Sequence, residues 1–172
     1  MTEYYVDASA LVKRYTDEAG STWIRQMTDP QAHPTVLLAE ITLAEVAAAL
    51  AAKHRAPGGI TQEQRDRVLS RFLQDCDEYF LLLPVDRPVI DRAVELTQRH
   101  RLCEYDAVQL ATALVASEIL QSQHFPAPIF VAADNDHLTA ALSEHLPVEH
   151  PLHHTDLDAQ AFPYIPDRSS HT

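Results

Sequence analysis

Residues 4–13 read Tyr4-Tyr5-Val6-Asp7-Ala8-Ser9-Ala10-Leu11-Val12-Lys13, and the change of pattern inside this stretch decides the fold class. An apolar run ends on Asp7, and the chain then passes at once into helix-like spacing. The pattern predicts a short strand over residues 3–7 feeding a helix over residues 9–17. A carboxylate at the end of a strand, with a hydroxyl two residues later, has three readings. It can cap the helix, act as a phosphate-accepting nucleophile, or ligate a hard metal ion.

The same alternation recurs along the chain. A short helix is expected over residues 21–28, a strand over 35–38, and an alanine-rich helix over 39–55 with Leu43, Val46, Ala47 and Leu50 on one face. Ala56-Pro57-Gly58-Gly59 ends that helix, since proline and paired glycines break helices. Thr61 to Gln64 matches a capping box that opens a helix to about Glu78. Phe80 to Val85 is a continuous apolar run, which predicts a strand buried on both faces. Asp86-Arg87-Pro88 begins another helix, followed by a helix over 104–121, a strand over 129–132 and a helix over 135–144. Strands alternating with helices predict an α/β fold with a mainly parallel sheet. The globular part spans residues 1–150, and a Pro- and His-rich tail covers 151–172.

Composition narrows the function classes. The chain has 172 residues, 46% apolar and 22% charged, which suits one globular domain. Its three glycines do not follow strands, which excludes a dinucleotide fingerprint and a P-loop. The start lacks a basic region followed by an apolar one, and no apolar run is long enough to cross a bilayer, so a soluble cytoplasmic protein without membrane contact is expected. Cys76 and Cys103 match no disulfide framework or zinc spacing and read as small core residues in a reducing compartment. His150, His153 and His154 read as solvated side chains of the tail. A net charge of -12 argues against a basic nucleic-acid-binding face, unless some carboxylates hold cations that in turn bind phosphate. It also suits a basic protein partner.

Four acids stand out. Asp7 ends the first strand, and Asp134 follows the apolar run Ile129-Phe130-Val131-Ala132-Ala133, so both belong at the carboxyl edge of the sheet. Glu45 is the only charge on a helical face with Ile41, Ala48, Ala49 and Ala52. Asp106 lines up with Leu110, Ala113 and Ser117. A buried carboxylate needs a partner, and 13 Lys and Arg must serve 25 acids. Carboxylates gathered together repel one another unless a divalent cation holds them ionised, and all-oxygen ligation favours Mg²⁺ or Mn²⁺ over zinc. Taken singly, each acid also has an ordinary explanation as a cap, a dipole partner or a solvated charge.

Y-Y-V-D-A-S-A-L-V-K, L-A-E-V-A-A-A-L, Y-D-A-V-Q-L-A-T-A-L and I-F-V-A-A-D, in that order, resemble the motifs of PIN-domain proteins, and most closely the VapC-type toxins of type II toxin–antitoxin pairs. The resemblance runs from about Tyr4 to Pro151. It implies a three-layer sandwich with a short parallel sheet between helices, and an Mg²⁺- or Mn²⁺-dependent endoribonuclease leaving a 5′-phosphate and a 3′-hydroxyl. By the same resemblance the acidic site is Asp7, Glu45, Asp106 and Asp134, with Ser9 orienting Asp7 or a water and Asp136 a candidate additional ligand. It further implies an RNA substrate, a cognate antitoxin whose basic or aromatic segment enters the acidic groove, and a homodimer. Lys13, Arg14, Lys53 and Arg55 are candidates for gripping RNA, and the segment 161–166 for an apolar contact. The chain departs from the family pattern at Ala132, where many relatives carry a hydroxyl, and at Gln109, where a histidine is frequent.

Two rivals remain in view. One is a catalytically silent module of the same fold that only binds RNA or protein. The other is an aspartyl-phosphate phosphatase, which would need a second acid where Ser9 stands.

Overall fold

The computed structural model describes residues 2–161. Five parallel strands form one sheet in the order β3-β2-β1-β4-β5, comprising β1 (Glu3–Val6), β2 (Thr35–Ala39), β3 (Leu81–Leu83), β4 (Ile129–Val131) and β5 (Val148–Glu149). The chain starts in the middle, builds outward through β2 and β3, and then returns to the other side of β1 with β4. The order therefore reverses between β1 and β4, which is the place where open α/β sheets bind ligands, at the carboxyl ends of the strands. Register places Tyr5 beside Phe130 and Val6 beside Val131, so the residues that follow, Asp7 and Ala132, leave the sheet side by side.

Helices cover both faces, because alternate strand residues point to opposite sides and both sides are apolar. Tyr5, Leu37, Ala39 and Phe130 pack with α5 (Arg87–Arg99), α6 (Glu104–Ser122) and α7 (Asn135–Ser143). Val6, Val36, Leu38 and Val131 pack with α1 (Ala8–Leu11), α2 (Ser21–Met27), α3 (Ile41–Arg55) and α4 (Gln62–Glu78). This is the α/β fold with a parallel sheet expected from the alternation, in the three-layer form that the resemblance implies.

Several local expectations need correction. The helix expected over 9–17 is only one turn of α-helix followed by a 3₁₀ turn at Val12–Arg14. Hydroxyl groups beyond it compete for the backbone: Thr16 donates to the Val12 carbonyl and Ser21 to the Thr16 carbonyl. The strand expected to be buried on both faces, β3, lies at the sheet edge with Leu81 55% exposed. Cys76 is buried as expected, but Cys103 is exposed, and both are free thiols. The 3₁₀ turn Pro151–His154 and α8 (Asp156–Ala161) hold His150 and His154 against the protein, while His153 is exposed as expected. His150 is buried and accepts a hydrogen bond from the Leu152 amide, while His154 stacks on Trp23 at 4.2 Å. The apolar segment 161–166 lies, beyond Ala161, outside the described residues.

Asp158 of α8 performs a cap that α2 cannot supply for itself. The residue before α2 is Gly20, which has no side chain, and Asp158 accepts hydrogen bonds from the Gly20 and Thr22 amides at 2.6 and 3.0 Å. Replacing Asp158 by Ala should cost about 1 kcal/mol of stability, the usual worth of a helix N-cap. A denaturant titration measures it, and a change below a few tenths would mean that water takes over the cap.

Candidate metal and active site

The carboxyl edge gathers three of the predicted acids. Asp7 ends β1 and is buried, Glu45 projects from the second turn of α3, and Asp106 from the first turn of α6. Glu45 feels the charges of both Asp7 and Asp106. Burial chiefly, and then those two neighbours, push its carboxyl up to about 7, against a hydrogen bond from Gln109 that pulls the other way.

Asp7 shows how a cap and a site residue can be one side chain. Its Oδ2 accepts from the Ser9 amide at 2.9 Å, capping α1, and from the Ser9 hydroxyl at 2.5 Å. Its Oδ1 points the other way, toward His137 Nδ1 at 3.8 Å. The Ser9 oxygen also accepts from the Ala133 amide at 2.9 Å, so one hydroxyl ties the end of β1 to the loop after β4. With its proton on Asp7, Ser9 is a strut between two segments.

Glu45 is held by a buried relay. The Gln109 side-chain amide donates to Glu45 Oε2 at 2.5 Å and to Thr42 Oγ1 at 2.8 Å, while its carbonyl oxygen accepts from the Tyr5 hydroxyl at 2.6 Å. The Glu45 carboxylate fixes which end of the amide faces which way, because a flipped amide would set its carbonyl oxygen against an acceptor-only group, and the Tyr5 hydroxyl then donates to the carbonyl. Gln109 and Tyr5 are both fully buried. Burial, and next the nearby Asp7 charge, hold the Tyr5 phenol well above its ordinary range, so it remains a donor.

The other predicted residues take different places. Asp134 is exposed and caps α7, its Oδ1 accepting from the His137 amide at 2.9 Å. Asp136 is exposed in the first turn of the same helix. Lys13 and Lys53 both pair with Glu18, at 3.0 and 3.2 Å, and Arg14 pairs with the buried Asp75 at 3.2 Å. These three cations are engaged in the protein's own ion pairs, whereas Arg55 is exposed at the end of α3. Sequence reasoning missed His137, which is fully buried against Phe130 and 3.8 Å from both Asp7 Oδ1 and Asp106 Oδ1. The available signal was its position three residues after Asp134, on the face of α7 that turns inward with Ala140 and Ala141. It also missed Cys103, whose thiol donates to Asp106 Oδ2 at 3.1 Å.

Among the described residues no three His, Cys, Asp or Glu side chains already stand together at ligand spacing. The chemistry of the donors nevertheless fits a divalent cation: carboxylate oxygens that repel one another, and a buried imidazole with neither nitrogen hydrogen-bonded.

Comparison with known proteins agrees with this architecture. The family model of the PIN domain matches residues 4–141. No curated protein matches the sequence. Among solved structures, FitAcB from Neisseria gonorrhoeae superposes with a TM-score of 0.59 at 19% identity, over 87% of this chain and 99% of its own. A toxin–antitoxin complex from Klebsiella pneumoniae gives 0.51 at 19% identity, over 86% and 97%. VapC20 from Mycobacterium tuberculosis, a toxin that cleaves the sarcin–ricin loop, gives 0.54 at 17% identity, over 80% and 94%. At these identities the likeness is one of fold. Among the described residues no helix is long and apolar enough to cross a membrane.

Proposed function

Because the chain belongs to the PIN-domain family, we propose that it is a divalent-metal-dependent endoribonuclease, the toxin of a toxin–antitoxin pair acting in the cytoplasm. The observation that carries this reading is the meeting of Asp7, Glu45 and Asp106 at the switch point of a parallel sheet, close enough for the charges of the first and third to act on the second. Asp7 and Asp106 would be the principal ligands, with Glu45 and Asp134 binding directly or through water and Asp136 a candidate additional ligand. Bound there, Mg²⁺ or Mn²⁺ would activate a water and neutralise charge on the scissile phosphate.

The protein's own part is positioning. Ser9 keeps Asp7 Oδ1 turned into the site by engaging Oδ2, and Gln109 does the same for Glu45 by engaging Oε2. A Glu45 carboxyl poised near 7 can release or hold a proton at neutral pH, as water is consumed and the leaving oxygen departs. An aspartyl-phosphate mechanism is disfavoured because Ser9, rather than an acid, stands beside Asp7. The RNA substrate is gripped by groups other than Lys13, Arg14 and Lys53, which pair internally. A net charge of -12 suits capture by a basic antitoxin segment. Ile90 and Val94, exposed one turn apart on α5, offer apolar surface for a homodimer.

The test is cleavage of structured RNA by the purified chain with Mg²⁺, with Mn²⁺ and with EDTA. Cleavage dependent on the cation and yielding 5′-phosphate ends is expected. A chain that binds RNA but never cuts it under any of these conditions is the silent module instead.

The relay behind Glu45 gives its own expected result. Gln109→Met keeps the volume but removes the amide, and should lower cleavage about 10–100-fold, the usual cost of losing a group that orients a ligand. Tyr5→Phe should lower it in the same direction by leaving the buried Gln109 carbonyl without its donor. In the Gln109→Met background, Tyr5→Phe should add nothing. Additive losses would mean that Tyr5 acts by another route.

A further inference from the structure

Among the described residues, His137 is the buried side chain at the site whose polar atoms find no hydrogen-bond partner. It is 0% exposed, and neither Nδ1 nor Nε2 has a hydrogen-bond partner among the described residues. An imidazole always carries a donor, and in its neutral form also an acceptor. Leaving such a group buried and unsatisfied costs about 1–3 kcal/mol. Apolar packing alone would be served better by a phenyl ring, and the neighbour below is one: His137 meets Phe130 edge to face at 4.8 Å and 72°. That contact, with the start of α7, fixes the ring.

The orientation is informative. Nδ1 lies 3.8 Å from Asp7 Oδ1 and 3.8 Å from Asp106 Oδ1. Both separations are too long for hydrogen bonds, so the imidazole is aimed at the two acids without engaging either. They are, however, shorter than two metal–donor bonds of about 2.0–2.1 Å laid end to end. One cation can therefore touch the nitrogen and a carboxylate oxygen together. The oxygens concerned are the free one of Asp7, whose partner oxygen is committed to Ser9, and that of Asp106 opposite the oxygen engaged by Cys103.

We propose that His137 Nδ1 is a nitrogen donor to the cation held by Asp7 and Asp106, making a mixed nitrogen–oxygen site that prefers first-row transition dications such as Mn²⁺ or Co²⁺ to Mg²⁺. The inference rests on the metal-dependent reading of the site. Its chemistry is that of ligand type: carboxylates alone serve Mg²⁺ well, whereas imidazole adds affinity for transition ions and little for Mg²⁺. The binding form is neutral, with the proton on Nε2.

The full chain loaded with Mn²⁺ and studied by pulsed electron paramagnetic resonance tests this directly, since a coordinated imidazole modulates the signal through its nitrogen. Wild-type protein should show that coupling, altered by ¹⁵N-histidine labelling and absent from His137→Phe. Calorimetry should find Mn²⁺ affinity about tenfold weaker in the variant, with Mg²⁺ affinity changed less than about twofold, in line with the usual weight of one ligand-shell group. Should His137→Phe not fold, His137→Gln keeps a polar head in the pocket and serves the same comparison. Mn²⁺ bound without nitrogen coupling, or with coupling that persists in the variant, overturns the proposal and leaves the acidic site standing. Failure of the wild type to bind Mn²⁺ at all overturns the metal reading itself, and this inference with it.

Discussion

Asp7→Asn should lower RNA cleavage at least about a thousandfold while leaving the fold nearly as stable as before. Metal-assisted stabilisation of charge is worth several kcal/mol, and each 1.36 kcal/mol is a factor of ten in rate. The variant separates the two jobs of this side chain. Asn caps helices about as well as Asp, so the hydrogen bond from the Ser9 amide to Oδ2 has a ready replacement. The charge facing His137 and Asp106 has none. Rates in the presence of Mg²⁺, together with denaturant midpoints, decide the matter. If activity and stability fall together, Asp7 is chiefly a cap, and the acidic-site reading fails at its first residue.

The second large effect is a dependence of stability on pH that the cation reverses. Glu45 is raised from 4.5 to about 7 by burial and by the charges of Asp7 and Asp106. Between those two values the folded chain holds a proton that the unfolded chain has lost, so stability falls as pH rises through this window. Below about 4.5 both states are protonated and Glu45 contributes nothing; above about 7 its full penalty is present. Glu18 works in a separate range. Despite burial, hydrogen bonds from Thr16, Lys13 and Lys53 bring it down to about 2, so its contribution is lost only as pH falls from 4.5 toward 2. Wild type compared with Glu45→Gln in EDTA should therefore show a decline from pH 5 to 8 that the variant lacks. A divalent cation should remove the decline by favouring the ionised carboxyl, and at a hundred times its dissociation constant should add about 2.7 kcal/mol. A variant with the same pH slope as wild type would place the proton elsewhere.

The central strands and the acids they carry were legible in the sequence for a physical reason. A parallel strand buried on both faces writes a continuous apolar run, and a carboxylate at its end, such as Asp7, sits at the edge where sites gather, although it also caps α1. Glu45 and Asp106 stood out because each interrupts an apolar helical stripe. The strand β5 left no such trace, since two residues carry no periodicity. β3 read as a central strand because composition reports hydrophobicity and not position in the sheet order. His137, and the role of Gln109, which stood out only as a departure from the family pattern, were hidden for a different reason. Each is a polar residue in a helix, which by itself reads as surface, and its importance lies in contacts with Asp7 and Asp106 or with Tyr5 and Glu45. Those neighbours are brought together only by the return of the chain to the far side of β1. Lys13 and Arg14 misled in the opposite sense: charge near the site suggested RNA contact, but Glu18 and Asp75 claim both.

The most direct measurement is a calorimetric titration of the metal-free chain with Mg²⁺ and with Mn²⁺, repeated on Asp106→Asn. A site built from Asp7, Glu45 and Asp106 predicts saturable binding, tighter at pH 8 than at pH 5, and weakened at least about tenfold by the substitution. Absence of binding in the wild type, or equal binding in the variant, would contradict it.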